Sequence, residues 1–101
     1  MTRVHWTPQA SDDLDAIHEH ISHDSLGAAR LLVARLIVAV DQLEPFPESG
    51  RVVPEFADPA LRELLRGSYR IVYRLRGPDA EIITVHHAAR PLPSDLGERG
   101  G

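Results

Sequence analysis

The chain has 101 residues, 43% of them hydrophobic, a size that suits one domain with a single core and leaves no room for a second domain. The absence of cysteine excludes disulfides, thiolate metal sites and cysteine nucleophiles, and a formal net charge of −4 argues against a protein that coats nucleic acid. No apolar run reaches the ~18 residues of a membrane span and the N-terminus lacks the apolar block of a signal peptide, so we expect a soluble cytoplasmic protein.

The N-terminal residues predict a strand followed by a helix. Val4-His5-Trp6 is extended in character and is expected to form a first or edge strand. Thr7 can cap a helix, and Pro8 suits the first helical position, where its missing N–H is not needed. Asp12 and Asp13 lie near the positive end of that helix, where carboxylates are favoured. An apolar stripe then predicts a helix over about Pro8 to Ser22, with the members Ala10, Leu14, Ile17 and Ile21.

A second helix and a hinge follow. Asp24 and Ser25 are cap residues for a helix that runs through about Glu44 and carries a wide apolar stripe. Two amphipathic helices joined by a short link predict an antiparallel hairpin. Residues 45–50 cannot continue the helix, because the two prolines lack N–H donors and the glycine permits a turn. We therefore expect a hinge between a helical half and a sheet half.

The sheet half is most clearly patterned between residues 61 and 90. One parity is apolar, with Tyr69, Ile71, Tyr73 and Leu75, and the other is rich in arginine, with Arg70, Val72, Arg74 and Arg76. All eleven basic residues of the chain are arginine, and seven of them lie between Arg51 and Arg76 or at Arg90. Arginine stays charged and its planar fork of donors suits carboxylates and phosphates. A local basic patch is therefore compatible with the negative net charge.

Gly77-Pro78-Asp79 predicts a turn that folds this strand back on residues 81–87. A loop of odd length would place Ile71 opposite Val85 and Tyr73 opposite Ile83, whereas an even loop would place Arg76 opposite Glu81. We favour the first register, since burial of two apolar pairs outweighs one exposed ion pair of about 0–1 kcal/mol.

The predicted fold class is α+β: an N-terminal strand, an antiparallel helix hairpin and then a three-stranded antiparallel sheet, with the helices on one face. Residues 52–56 are expected to form a weak strand or an extended loop. The domain is expected to span residues 1–90, and residues 91–101 are expected to form a flexible tail with little capacity to pack.

Three histidines at the end of the first helix raise the question of a metal site. His20 and His23 can share a helical face, and imidazole is a common ligand. His18 points elsewhere, no cysteine is available, and cations near a helix C-terminus are favoured for ordinary dipole reasons. We therefore expect neither a metal nor a cofactor.

The ordered set of motifs resembles the ParE/RelE toxin superfamily of bacterial toxin–antitoxin modules. The resemblance covers nearly the whole chain to Arg90. Each piece is short, but their order and spacing are fairly specific. The residues that carry it are Trp6, Ala10, Asp13-Leu14, Ile17, Ile21, Leu43, Pro47, Gly50-Arg51, Leu61-Arg62-Glu63-Leu64, Tyr69-Arg70-Ile71-Val72-Tyr73 and His87-Ala88-Ala89-Arg90.

The resemblance implies a compact toxin that a cognate ParD- or RelB-like antitoxin binds in a hetero-oligomer, and it implies one of two activities. RelE-like members cleave mRNA on the ribosome, and ParE-like members inhibit DNA gyrase. RNA cleavage needs a base, cationic donors on the scissile phosphate and an acid. Arg62, Arg70 and His87 are the candidate catalytic residues for that reaction. The paired lysines of RelE-like enzymes are absent, and no tyrosine follows Arg90.

Inhibition of gyrase needs an arginine-bearing surface and no catalytic groups, and the terminal His87-x-x-Arg90 looks more like the ParE branch. We therefore favour a ParE-like gyrase inhibitor. The candidate target-binding residues are Arg51, Arg70, Arg74, His87 and Arg90. Four of them have a structural alternative: Arg70 and Arg74 can form a solvated strand face, Arg51 can pair with Glu63 or Glu55, and His87 can be a buried, hydrogen-bonded histidine. Arg90 is the best single candidate for a functional contact.

A third hypothesis for the function is a toxin fold that has lost toxicity and acts only in an antitoxin complex. In all three hypotheses the wide apolar stripes of the helices and the sheet edges predict a protein partner. We expect an apolar helix or extended segment of the antitoxin to cover part of this surface, with acidic residues that meet the arginines.

Overall fold

The computed structural model describes residues 2–96, which form two helices and five strands. In chain order the elements are β1 (Val4–Trp6), α1 (Pro8–Ser22), α2 (Leu26–Asp41), β2 (Arg51–Val52), β3 (Leu61–Arg66), β4 (Tyr69–Arg76) and β5 (Asp79–His87). The sheet has the order β1-β5-β4-β3-β2, with β1 parallel to β5 and the other neighbours antiparallel. The predicted α+β fold is confirmed. The three predicted antiparallel strands are β3, β4 and β5, and the short strands β1 and β2 extend the sheet at its two edges.

Local signals account for the helix boundaries. The Thr7 hydroxyl accepts a hydrogen bond from Ala10 N and donates one to Ile82 O over 2.7 Å, so the N-cap of α1 also ties the helix to β5. The predicted range of α1 is confirmed. Helix α2 ends at Asp41, three residues before the predicted end at Glu44. The residue before a proline is disfavoured in helical conformation, and Glu44 precedes Pro45.

The main core lies between the helices and one face of the sheet. Its fully buried members from the helical half are Ala10, Leu36 and Leu43, and those from the sheet include Ile71, Tyr73 and Ile82. This arrangement confirms that the apolar parity of β4 packs under the helix hairpin. Burial of apolar area stabilises a fold by about 25 cal/mol per Å², so this layer contributes strongly to folding.

A second, smaller core covers the opposite face of the sheet. It contains Val53, Leu61, Val72, Ile83 and Leu96. The expectation that residues after 90 pack little is wrong for Leu96, which is 0% exposed, and for Leu92, which packs beside it. The physical reason is that Val72 and Ile83 leave apolar surface on this face. Residues 97–101 of the predicted tail lie outside the described residues.

The β4–β5 hairpin follows the favoured register only from Tyr69 to Val72, and the alternative register is absent because Arg76 lies opposite Asp79 and not Glu81. Ile71 pairs with Val85 as predicted, but Tyr73 pairs with Ile82 and not with Ile83, because a β-bulge shifts the register between Val72 and Tyr73. A bulge adds one residue to one strand and turns its side chain away from the regular alternation. Ile83 consequently joins the second core while Ile82 joins the first.

Tyr73 joins the sheet to the hinge that follows α2. Its buried hydroxyl donates to Pro47 O over 2.7 Å and accepts from Gly50 N over 2.9 Å. Burial raises the pKa of the Tyr73 phenol, so the hydroxyl keeps its proton and both hydrogen bonds at neutral pH. A Cβ at Gly50 would lie 2.6 Å from both Glu63 O and the Tyr73 hydroxyl, so this position has room only for glycine.

We expect Gly50→Ala to lower the free energy of unfolding by about 1–3 kcal/mol, because the added methyl group overpacks a backbone contact. Urea denaturation followed by circular dichroism measures this change. Gly27→Ala is the matched control: its Cβ meets only Ser25 Oγ at 3.9 Å, and alanine in a helix is favoured over glycine by about 0.5–1 kcal/mol. A Gly50→Ala variant as stable as wild type would show that the hinge can move away from Tyr73.

Candidate functional site

The arginines on the second face of the sheet are tied into ion pairs. Arg70 is 8% exposed; its Nε donates to Glu63 Oε1 over 2.6 Å. Its two terminal nitrogens donate to the two oxygens of Glu55 over 2.7 and 2.9 Å. Arg51 Nε donates to the other oxygen of Glu63 over 2.6 Å. Two cations and two carboxylates therefore form one network, called here the Arg70 network: Arg51, Glu55, Glu63 and Arg70.

The network favours the charged forms of Arg70 and Glu55. The hydrogen bond to Glu55, followed by that to Glu63, raises the pKa of Arg70 against the opposing effect of burial. The hydrogen bond from Arg70 in turn lowers the pKa of Glu55. The side chain of Glu63 is 0% exposed, so hydrogen bonds from its two arginine partners take the place of hydration at its carboxylate.

The expectation of a solvated arginine face therefore needs correction at Arg70. The structural alternative for Arg51, an ion pair with Glu63, is confirmed. The sequence contained the signal for that pair but none for the turn that brings Glu55 across the strand to Arg70. Long-range contacts between loops leave no periodic trace in a sequence.

Two further arginines hold connections in place. Arg74 donates to Asp58 Oδ2 over 3.3 Å. Arg62 donates from Nε to Pro59 O over 2.9 Å and from a terminal nitrogen to Gly50 O over 3.2 Å. Both side chains thus fasten the segments on either side of β2 to the sheet. Their hydrogen bonds are directed within the protein.

His87 and Arg90 lie together at a cleft of about 580 Å³ between α1 and the end of β5, which His20 and Tyr69 also line. His87 Nδ1 accepts a hydrogen bond from Ala89 N over 3.1 Å, so in the neutral ring the proton lies on Nε2. The His87 ring also meets the edge of Tyr69 at a centroid distance of 5.3 Å. Arg90 is exposed, and its guanidinium has no hydrogen bond or ion pair among residues 2–96.

The three candidate catalytic residues do not meet. His87 lies opposite Tyr69 in the strand register, on the face of the sheet that carries the main core. Arg70 lies on the other face. Arg62 is occupied at the hinge. A general base and the donors for a phosphate must lie within hydrogen-bond reach of the same reacting group. The arrangement therefore lacks a joint catalytic site for Arg62, Arg70 and His87.

A second concave surface lies along α2. It is an apolar groove of about 600 Å³ between α2 and the β3–β4 turn. Leu32 and Val38 line it, and Arg35 and Arg66 stand at its rim. Val38 is 68% exposed, so the groove presents apolar surface to solvent. We call this surface the α2 groove.

The described part of the chain contains no group of three or more His, Asp or Glu side chains arranged to hold a metal ion. No helix within residues 2–96 is long and apolar enough to cross a membrane.

The fold and the ordered motifs define a small toxin of the type II toxin–antitoxin class. A family model described as the ParE toxin of the type II toxin–antitoxin system parDE matches residues 4–92. The chain belongs to the ParE toxin family, which confirms the superfamily resemblance seen in the sequence.

Individual relatives agree with this assignment. The chain is 40% identical over 96 residues to toxin Y4kP of Sinorhizobium fredii, covering 93% of this chain and 96% of the relative. It is 38% identical over 91 residues to toxin RelE2 of Caulobacter vibrioides, covering 89% and 99%. A solved structure of the chromosomal ParDE system from P. aeruginosa superimposes with a TM-score of 0.72 at 26% identity, covering 86% of this chain and 96% of that one.

Proposed function

We propose that this toxin inhibits DNA gyrase without being an enzyme, and that a cognate ParD- or RelB-like antitoxin neutralises it in a cytoplasmic hetero-oligomer. The observation that carries the choice against RNA cleavage is the Arg70 network. The arginine that a nuclease would turn toward a scissile phosphate is 8% exposed and directs its donors to Glu55 and Glu63. Stabilisation of a transition state requires donors aimed at the developing charge and not at internal carboxylates.

Of the five candidate target-binding residues, Arg90 and His87 are the best placed for contact. Arg51, Arg70 and Arg74 make ion pairs within the protein, so their role in this proposal is to hold the sheet and its connections together. Arg90 is exposed and its guanidinium is unpaired among residues 2–96, so its donors are available to a partner. A bidentate arginine contact with a carboxylate or phosphate is a common interface anchor.

We expect Arg90→Ala to raise the toxin concentration needed for half-inhibition of gyrase by about tenfold, since one charge-assisted anchor is lost. A DNA supercoiling assay with purified gyrase measures this value. Arg30→Ala is the matched control, because Arg30 is an exposed arginine on α2 with no partner among the described residues. Complete supercoiling in the presence of excess wild-type toxin would reject the proposed target, and equal loss in both variants would reject the assignment of Arg90.

Two observations favour a second candidate function, a ribosome-dependent endoribonuclease. The Caulobacter relative is named RelE2, and His87, Tyr69 and Arg90 share one cleft. Primer extension on mRNA undergoing translation tests this function directly. Cuts in the ribosomal A site that His87→Gln abolishes would favour the nuclease, whereas uncut mRNA together with inhibited gyrase would exclude it.

The α2 groove is the proposed antitoxin site. Its apolar floor suits the apolar face of a helix, and Arg35 and Arg66 at its rim suit acidic residues on the same segment. The solved ParDE relative supports a toxin bound to its antitoxin as the working assembly. Expression of the chain without its antitoxin tests whether it is toxic. Normal growth with soluble protein would indicate a protein that acts only within the complex.

We expect Val38→Asp to weaken antitoxin binding by about a hundredfold, because it puts a charge on the apolar floor and the change is about 2–3 kcal/mol. Isothermal titration calorimetry with the antitoxin encoded beside the toxin measures the dissociation constant. The stability of this variant should change little, since Val38 is 68% exposed. Glu19→Gln on α1, also exposed, is a control away from the groove, and equal affinities for all three proteins would place the antitoxin elsewhere.

A further inference from the structure

The connection between α2 and β2 displays an aromatic side chain to solvent. Phe46 is 66% exposed, whereas the other four aromatic residues of the chain, Trp6, Phe56, Tyr69 and Tyr73, are buried or half-buried. A proline lies on each side of Phe46, and proline restricts the backbone conformation of the unbound protein. An exposed phenylalanine alone is ordinary. Its rigid presentation is the feature that needs an explanation.

Hydrogen bonds fix both arms of this connection. Phe46 N donates to Gln42 O over 3.0 Å, and Ser49 N donates to Phe46 O over 3.1 Å. The Gln42 side chain reaches across to Ser49 Oγ over 3.1 Å, and the buried Tyr73 hydroxyl holds Pro47 O over 2.7 Å. A side chain carried by such a fixed loop loses little conformational entropy on binding, which favours its use as an anchor.

Two carboxylates flank Phe46 in the chain, and the cation beside this connection, Arg62, donates to the backbone carbonyl of Glu48 over 3.3 Å and not to a carboxylate. Glu44 and Glu48 are both exposed, and neither carboxylate pairs with a cation among residues 2–96. The α2 groove has the opposite character, with Arg35 and Arg66 at its rim. An acidic segment that suits the groove is therefore repelled by this loop, so the two surfaces fit different partners.

We propose that Phe46 inserts into an apolar pocket with a cationic rim on DNA gyrase, and that Glu44 and Glu48 contact that rim. This assignment rests on the proposed function. An enzyme that handles duplex DNA needs lysine- and arginine-rich surfaces to neutralise phosphates, and an acidic loop is complementary to such a surface. The loop borders Leu75 and Gly77 at one end of the β4–β5 hairpin, whereas Arg90 follows the other end, so it provides a contact independent of Arg90.

The test compares Phe46→Ala with Leu26→Ala, a truncation of another exposed apolar side chain, which is 47% exposed. In the supercoiling assay, Phe46→Ala is expected to raise the half-inhibitory concentration at least about tenfold, and Leu26→Ala is expected to leave it unchanged. Antitoxin affinity and the urea midpoint of both variants should equal those of wild type. The double variant Glu44→Gln, Glu48→Gln should inhibit more weakly, and its inhibition should depend less on salt concentration.

The outcomes separate this assignment from the proposed function. Wild-type toxin that inhibits gyrase, with Phe46→Ala equal to it, overturns the assignment and leaves the function intact. Wild-type toxin without any inhibition overturns the function and this assignment with it. Loss of antitoxin affinity in Phe46→Ala, with inhibition retained, assigns the loop to the antitoxin and also overturns the proposal.

Discussion

Replacing Arg70 with alanine is expected to lower the free energy of unfolding by about 3–5 kcal/mol, the cost of leaving a buried charge without its partner. Glu63 is 0% exposed and would keep only Arg51, which reaches one of its two oxygens. Glu55 is 44% exposed and can be hydrated once Arg70 is gone, so the cost falls mainly on Glu63. Urea denaturation at neutral pH measures the difference.

Arg51→Ala is the matched control, since it removes the other partner of the same carboxylate. Arg51 is 56% exposed and has given up less hydration, so we expect a smaller loss of about 1 kcal/mol. Equal effects of the two variants would mean that Glu63 is hydrated more than its burial indicates. A loss below about 1 kcal/mol for Arg70→Ala would show that the network contributes little to stability and would weaken the argument that it keeps Arg70 from a ligand.

The same network predicts how stability depends on pH. The hydrogen bond from Arg70 lowers the pKa of Glu55 below its ordinary value of 4.5. A carboxylate with a lower pKa in the folded state stabilises the protein above the ordinary value, and this contribution is lost as the pH falls through the folded value. The difference in stability between wild type and Arg70→Ala should therefore narrow below about pH 4.5, as urea titrations at several pH values would measure. A constant difference would contradict this coupling.

Replacing Asp13 with alanine is expected to cost about 2–4 kcal/mol, because two buried donors on β5 lose their acceptor. Asp13 Oδ2 accepts from Val85 N over 3.1 Å and from the Thr84 hydroxyl. Thr84 and Val85 are 3% and 4% exposed, so water cannot readily replace the carboxylate. These contacts also fix α1 against the bulged part of β5 that leads to His87. Hydrogen exchange at the Val85 amide, together with urea denaturation, measures the effect.

Asp12→Ala provides the control for this prediction. Asp12 is the exposed neighbour on the same turn of α1, and its carboxylate has no partner among residues 2–96. Its loss should change stability by less than about 0.5 kcal/mol. Asp13→Asn keeps an oxygen acceptor without the charge, so its loss of stability should lie between those of Asp12→Ala and Asp13→Ala. Equal stability of the Asp12 and Asp13 variants would mean that Asp13 contributes only its interaction with the helix dipole, about 0.3–1 kcal/mol. That interaction is the one that the sequence predicted for it.

Much of the architecture was predictable because its signals are local. The Thr7 cap and the stripe from Ala10 to Ile21 lie within one element, and α1 has the bounds they indicate. The alternation around Ile71 correctly predicted which side of β4 meets the helices. The ParE family resemblance follows from the same kind of information, namely residue types in a fixed order.

The candidate site was less predictable, since its properties depend on residues that are distant in sequence. Arg90 is exposed, as a surface contact requires, and the sequence already singled it out. Arg70 looked equally cationic, but Glu55 approaches it from a turn fifteen residues away and turns it into an internal ion-pair partner. Phe46 carried no periodic signal, because a loop residue shows its exposure only when the surrounding loop has been folded.

By itself the amino-acid sequence determined the helices, the strand parity and the family. Hydrophobic periodicity, caps and turn residues are local signals, because they involve residues that lie close together in sequence. Only the tertiary structure decided the bulge at Ile83, the burial of Leu96 and the hydrogen bond that Thr84 donates to Asp13, 71 residues away. Each of these depends on which surfaces the packed layers leave uncovered and which polar groups they leave unpaired. That balance is reached only when both faces of the sheet are in place.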